Sequence, residues 1–232
     1  MDRSLDPLDA AVIVFVVACA GFGLLVSALV HFEVVDRILP LWPLFLAVSA
    51  VAWMTLDVWS PPSASPGPQV IRLVAFVCVE ALAAAPMVAL GWELAGPATV
   101  VGAALAAGAT CAGLVVFALL KPTTYLEPID PLIALGIMGL VVATVGLGLG
   151  LPLRLVWAVP LLGLTATIAL REIASVAGFG PDQHVAGGTR LFACGAVLFA
   201  QLLHYFVSMA RADDLVWLLL VRALGGADVA VS

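Results

Sequence analysis

Polar residues along this chain fall into short islands, and long apolar runs separate them. Seven runs approach or exceed the roughly 20 apolar residues that an α-helix needs to cross about 30 Å of hydrocarbon. They cover about 10–31, 41–59, 69–94, 97–120, 131–150, 152–176 and 188–210. An eighth run, 215–224, is too short to cross. Asp213 or Asp214 can cap it and Gly225 can end it, so it reads as an interfacial or docked helix. The pattern predicts an all-α membrane protein: a seven-transmembrane-helix bundle with a short C-terminal interfacial helix, in a single membrane domain over 1–232.

The islands carry breaker chemistry. Pro40 and Pro43 stand where the second run begins, a place where a missing N–H does no harm. The clearest loops are SPPSASPGP at 60–68, KPTTYLEPIDP at 121–131 and AGFGPDQHVAGG at 177–188. The other connections are very short and impose antiparallel neighbours. Trp42, Trp59, Trp92 and Trp157 fall near predicted helix ends, where indoles favour the headgroup level. Asp57, His31 and Glu33 also stand at helix ends, where they meet water.

Composition makes a soluble fold untenable. Apolar residues are 64% of the chain and charged residues 10%, against about 45–50% and about 25% in an ordinary soluble domain. The net charge of −6 offers no basic surface for nucleic acid. The N-terminus, MDRSLDPLD, is acidic and precedes a long apolar run, so it reads as a retained first helix and not a secretory signal. With the N-terminus cytoplasmic, Arg3, Arg72, Lys121, Arg171 and Arg190 lie inside and Arg37, Arg154, Arg211 and Arg222 outside. That is the orientation expected here.

Several chemistries drop out. Cys19, Cys78, Cys111 and Cys194 lie in different apolar runs with no C-x-x-C spacing, which points to reduced, buried thiols and to neither disulfides nor zinc. A retinal protein needs an intramembrane lysine, but the single lysine, Lys121, stands in a turn. No HExxH, intramembrane serine-protease element, P-loop or dinucleotide fingerprint occurs in a suitable context. An enzyme is therefore not expected, nor a cofactor or a metal.

Small residues are dense. Gly102, Ala106, Gly113, Gly136, Gly139, Gly146 and Gly150 lie on the fourth and fifth runs, where they let backbones approach within one chain or across a dimer. From the third run to the fifth, the chain reads AFVCVEALAAAPMVAL, a short turn GWELAGPAT, then AGATCAGLVVFALLKPTTYLEPIDPLIALGIMGLVVATV. The proline-centred step at Pro86, Gly113-Leu114, Lys121, Leu126, Gly136, Gly139 and Leu140 appear in an ordered series with matching turn lengths. In this the chain resembles the Bax inhibitor family, nearest its bacterial, YccA-like branch, over about 73–211. The resemblance implies a seven-helix bundle whose last helix is surrounded by six. It also implies a bacterial inner-membrane location, a pH-sensitive cation leak with calcium among the ions, and binding to a membrane protease complex. In the family, acids on the sixth and seventh helices share a pH-sensitive contact. Here those positions fall near Arg171 or Glu172 and at Gln201, and glutamine does not titrate.

Depth adds an objection. Glu172 lies about 6 Å from its helix end, whereas Gln201 lies about 20 Å into the next helix. The residues themselves suggest further candidates. Gln201, His204, Tyr205 and Ser208 recur at i, i+3, i+4 and i+7, on one helix face. This stripe is either an aqueous path with His204 as its pH switch or interhelical hydrogen-bond glue worth about 0.6 kcal/mol per bond. Glu80, in mid-span, is the costliest acid in the chain. It either pairs with His204, Gln201 or an arginine, or holds a proton and bonds to backbone or a hydroxyl. Arg171, near a helix end, can snorkel to the headgroups. Two functions remain open: a pH-modulated cation leak, or a non-conducting membrane scaffold that binds another membrane protein.

Overall fold

The computed structural model describes residues 7–55, 65–120, 154–176, 179–211 and 215–224. Among them every regular element is helical and no strand occurs. The elements are α1 (Pro7–His31), α2 (Val35–Ile38), a 3-10 turn (Leu39–Leu41), α3 (Trp42–Met54), α4 (Pro66–Ala95), α5 (Pro97–Leu120), α6 (Arg154–Val176), a 3-10 turn (Pro181–Gln183), α7 (His184–Arg211) and α8 (Leu215–Ala223). Five stretches are long and apolar enough to cross a membrane: Asp9–His31, Val35–Met54, Gly67–Ala95, Pro97–Phe117 and His184–Ala210. This is an integral membrane architecture. The predicted span 131–150, with Gly136, Gly139, Gly146 and Gly150, lies outside the described residues, as do Asp57, Trp59, Lys121, Leu126, Leu140, Asp213, Asp214 and Gly225.

The ends of the helices follow local chemistry. Between α4 and α5 stands a single residue, Gly96, at φ +83°, a left-handed conformation that a side chain disfavours. Pro97 then opens α5, where its missing N–H costs nothing. After α1, the N–H of Val34 reaches the Leu29 carbonyl and that of Glu33 the Val30 carbonyl. This is a Schellman cap with Glu33 in the glycine position, at φ 54°. Hydroxyls inside the helices turn back on their own backbone. Thr110 donates to the Ala106 carbonyl and Thr189 to that of Val185, so neither presents an unpaired donor to hydrocarbon.

Helix α7 is the axis of the bundle. It packs against α1, α4, α5 and α6, and all ten residues from Val185 to Cys194 are buried. Direction follows from the contacts. α1 and α4 run parallel to α7: Ala11 meets Gly187 and Phe15 meets Gly195, while Phe76 stacks on Phe192 and Gly91 meets Leu203. α5 and α6 run antiparallel to it: Gly102 lies under Phe206 and Cys111 under Gly195, while Val176 meets Gly187 and the Cys194 thiol reaches the Ala169 carbonyl. Outward-facing apolar side chains such as Val17, Leu24 and Leu105 are two-thirds exposed or more. That would be costly in water and costs nothing in lipid.

Three expectations change. The second crossing begins earlier than predicted, because α2 and the 3-10 turn lead into α3 over Val35–Met54. The last long helix begins at His184, four residues before the predicted 188. Gly187 and Gly188 looked like loop punctuation, but they sit inside α7 because α1 crosses there. A Cβ on Gly188 would lie 2.4 Å from Val14 Cγ1. Trp42 is not at the headgroup level. It is fully buried, with its indole bonded to the Ala83 carbonyl of α4 at 2.8 Å. Trp92 is half exposed at the end of α4, as expected. The short C-terminal helix docks instead of floating: Leu215 and Leu219, one turn apart on α8, are buried in the core beside α3 and α4.

Candidate functional site

A polar side chain inside a membrane bundle marks either a pathway or a structural joint, and its partners decide which. Glu80 lies on α4, buried at 7% exposure. Its Oε1 accepts a 2.6 Å hydrogen bond from the Ser49 hydroxyl of α3. Of the partners open to it from sequence, the structure gives a hydroxyl. Ser49 was not singled out in sequence, although it is the hydroxyl nearest the middle of its apolar run. Trp42 to Ala83 and Ser49 to Glu80 tie the same two antiparallel helices at two levels.

Glu172 lies on α6 and pairs with Arg190 of α7 at 2.5 Å. The Arg190 side chain is 8% exposed and that of Glu172 25%. The guanidinium also lies 5.4 Å from the Phe179 ring centroid and within 3.4 Å of the Ser175 hydroxyl. Thus Glu172, Arg190, Ser175 and Phe179 make one joint where α6 turns into α7. Sequence reasoning counted Arg190 only as a charge at one membrane face. The usable signal was an arginine inside a long apolar helix, which needs a partner. Arg171, next to Glu172, is exposed in the last turns of α6.

The remaining candidates lie farther along α7. Gln201 stands eleven residues beyond Arg190, about 16 Å at 1.5 Å per residue, and His204 about 21 Å. Glu172 therefore does not meet Gln201, and the depth objection read from sequence is decisive. Gln201, Tyr205 and Ser208 are half-buried and His204 is buried. The Ser208 hydroxyl is buried with no hydrogen-bond partner among the described residues. Glu80, Glu172 and His204 occupy three separate places.

Among the described residues, no three His, Cys, Asp or Glu side chains come together as a metal set would require. Cys111 and Cys194 are buried free thiols and Cys19 and Cys78 half-buried ones. No family model, no curated protein and no solved structure matches this chain. The class that the fold defines is an all-helical integral membrane protein built around one buried helix.

Proposed function

We propose that the chain is a seven-helix membrane protein of Bax-inhibitor-like design that acts as a non-conducting scaffold for another membrane protein, such as a membrane protease complex. The observation behind this reading is that its intramembrane acids are joints. Glu80 is held by Ser49 and Glu172 by Arg190. The position that would complete a titrating pair is Gln201, about 16 Å from that joint along α7. Among the described residues, Glu80 and Glu172 each have a partner that is not a carboxylate.

The count of seven rests on direction. α5 and α6 both run antiparallel to α7, so the chain leaves α5 at one face and enters α6 from the other. In sequence, the apolar run 131–150 between them is long enough for one crossing. We place the protein in a bacterial inner membrane with its N-terminus cytoplasmic. Over the whole sequence that orientation puts five Lys/Arg inside, Arg3, Arg72, Lys121, Arg171 and Arg190, against four outside, Arg37, Arg154, Arg211 and Arg222.

The second reading, a pH-modulated calcium leak, is favoured by one observation. His204 is buried on a stripe with Gln201, Tyr205 and the unpartnered Ser208 hydroxyl. Calcium flux from proteoliposomes across pH 5–8, the range in which histidine titrates, separates the two. The scaffold gives no flux above protein-free vesicles at any pH. A pH-dependent flux that His204→Ala abolishes would replace it with the leak. Co-migration of the intact protein with a membrane protease complex on native gels is the positive arm, and its absence removes that choice of partner.

A further inference from the structure

Near the start of α4 its buried and exposed faces meet in a seam, and Arg72 stands on it. Gln69, Leu73 and Phe76, at i−3, i+1 and i+4, are buried against the bundle. Pro68, Ile71 and Ala75, at i−4, i−1 and i+3, are exposed. Arg72 itself is half-buried. Its Nη1 is enclosed by protein and has no hydrogen-bond partner among the described residues. The guanidinium is thus held in the seam, whereas a snorkelling arginine keeps its head in water.

Its charge is uncompensated there. Arg72 lies five residues inside Gly67, the first residue of the crossing, a depth of about 7.5 Å. A cation at that level calls for an anionic partner. Among the described residues, the acids at this end of the bundle are Asp9, Glu172 and Asp182. Glu172 is held by Arg190, Asp9 and Asp182 are exposed, and no ion pair joins any of them to Arg72. Glu80 is eight residues deeper on α4, about 12 Å, and its carboxyl is bonded to Ser49.

The exposed side of the seam selects the anion. Ile71 and Val74 beside Arg72 are more than half exposed, an apolar surface suited to acyl chains. A free anion has to shed its water to reach a cation at this depth. A phospholipid lays its chains on that surface and brings its phosphate to the guanidinium, whose planar fork matches phosphate oxygens.

We propose that Arg72 binds the phosphate of an anionic phospholipid at this seam. The site stands whether or not the protein conducts, and whichever face is cytoplasmic.

The test uses the full-length protein in detergent with equal amounts of phosphatidylglycerol and phosphatidylcholine, and native mass spectrometry counts the bound lipid. The unaltered protein is expected to retain phosphatidylglycerol in preference. Arg72→Gln is expected to lower that retention about five-fold, the weight of one cation near an anionic surface. Ala75→Trp keeps the guanidinium and covers the exposed side of the seam. It is expected to lower retention as well, which keeps the proposal testable if Arg72→Gln does not fold. Arg171→Gln removes an exposed cation at the same end and is expected to leave retention intact. Equal losses from Arg72→Gln and Arg171→Gln, or no loss from Arg72→Gln or Ala75→Trp, overturn the proposal. So does displacement of the lipid by inorganic phosphate, which would make the ligand a free anion. So does a gain in retention from Asp57→Asn, in the connection before α4, which would make the chain's own carboxylate the partner of Arg72.

Discussion

The indole N–H of Trp42 is bonded to the carbonyl of Ala83, three residues before Pro86, and both Trp42 and Pro86 are fully buried. Pro86 has no N–H for the Leu82 carbonyl and opens the turn before it. The indole bonds the carbonyl next to that one, on Ala83, and α4 continues through the proline in one piece. In hydrocarbon a further donor to a backbone carbonyl has to come from a neighbouring helix, since no water supplies it. Trp42→Phe keeps most of the apolar contact and removes the donor. It is expected to destabilise the folded protein by about 1–3 kcal/mol, the cost of a buried acceptor left unpaired. Thermal unfolding in detergent micelles checks this, and an unchanged midpoint would show that Ala83 finds another donor.

The joint between α6 and α7 gives a prediction with two signs. Glu172→Leu leaves the Arg190 guanidinium buried without its carboxylate. The expected loss is about 3 kcal/mol, the low end for an uncompensated buried charge, because a quarter of the Glu172 side chain remains exposed. Arg190→Met combined with Glu172→Leu removes both charges and is expected to recover most of that loss. A double-mutant cycle on unfolding free energy measures the coupling. Additive losses would mean that the pair contributes nothing as a pair.

Much of this was legible in the apolar runs, and so was one joint that went unread. Span lengths alone place α1, α4, α5 and the C-terminal docked helix within a few residues. Ser49 lies ten residues before the predicted end of the second span at 59, and Glu80 eleven after the predicted start of the third at 69. Two spans joined by a loop are antiparallel, so a mid-span hydroxyl and a mid-span carboxylate stood at one depth. The glycines were harder. Those singled out in sequence on α5, Gly102 and Gly113, meet little: Gly102 touches Phe206 at ordinary distance and Gly113 touches nothing. The tight crossings use Gly91, Gly187, Gly188 and Gly195. Sequence shows where backbones are able to approach, and only the packing of α1 and α4 on α7 shows where they do. Trp42 misled for a similar reason, since a position near a helix end does not reveal that the end is covered by another helix.

Glu33 occupies the left-handed cap position after α1 and is exposed, with φ 54°. A side chain there costs about 1–2 kcal/mol in backbone strain, and glycine returns part of the gain through its freer unfolded state. Glu33→Gly is expected to stabilise the protein by about 0.5–1 kcal/mol. Glu33→Val, β-branched in the same conformation, is expected to destabilise it. Comparing the two unfolding midpoints tests the cap, and equal midpoints would rule out backbone strain as the cause.

Gly188 carries the closest helix crossing among the described residues. An added Cβ would stand 2.4 Å from Val14 Cγ1, 2.5 Å from Val14 Cβ and 3.0 Å from the Ala11 carbonyl. Two of those three atoms belong to the immediate stem of α1 or its backbone, so no rotamer change removes the contact, and α1 has to move away from α7. Such a shift also loosens Phe15 over Gly195 and the Phe22 ring against Phe192 and Phe199. Gly188→Ala is therefore expected to cost about 1–3 kcal/mol, the range for overpacking, even though alanine is the better helix former by about 1 kcal/mol. Gly113→Ala on α5, where a Cβ meets nothing within 4 Å, is expected to gain a few tenths of that propensity difference instead. Opposite shifts in unfolding midpoint for two identical substitutions would locate the tight seam on α1 and α7. A gain at both positions would mean that α1 yields without cost.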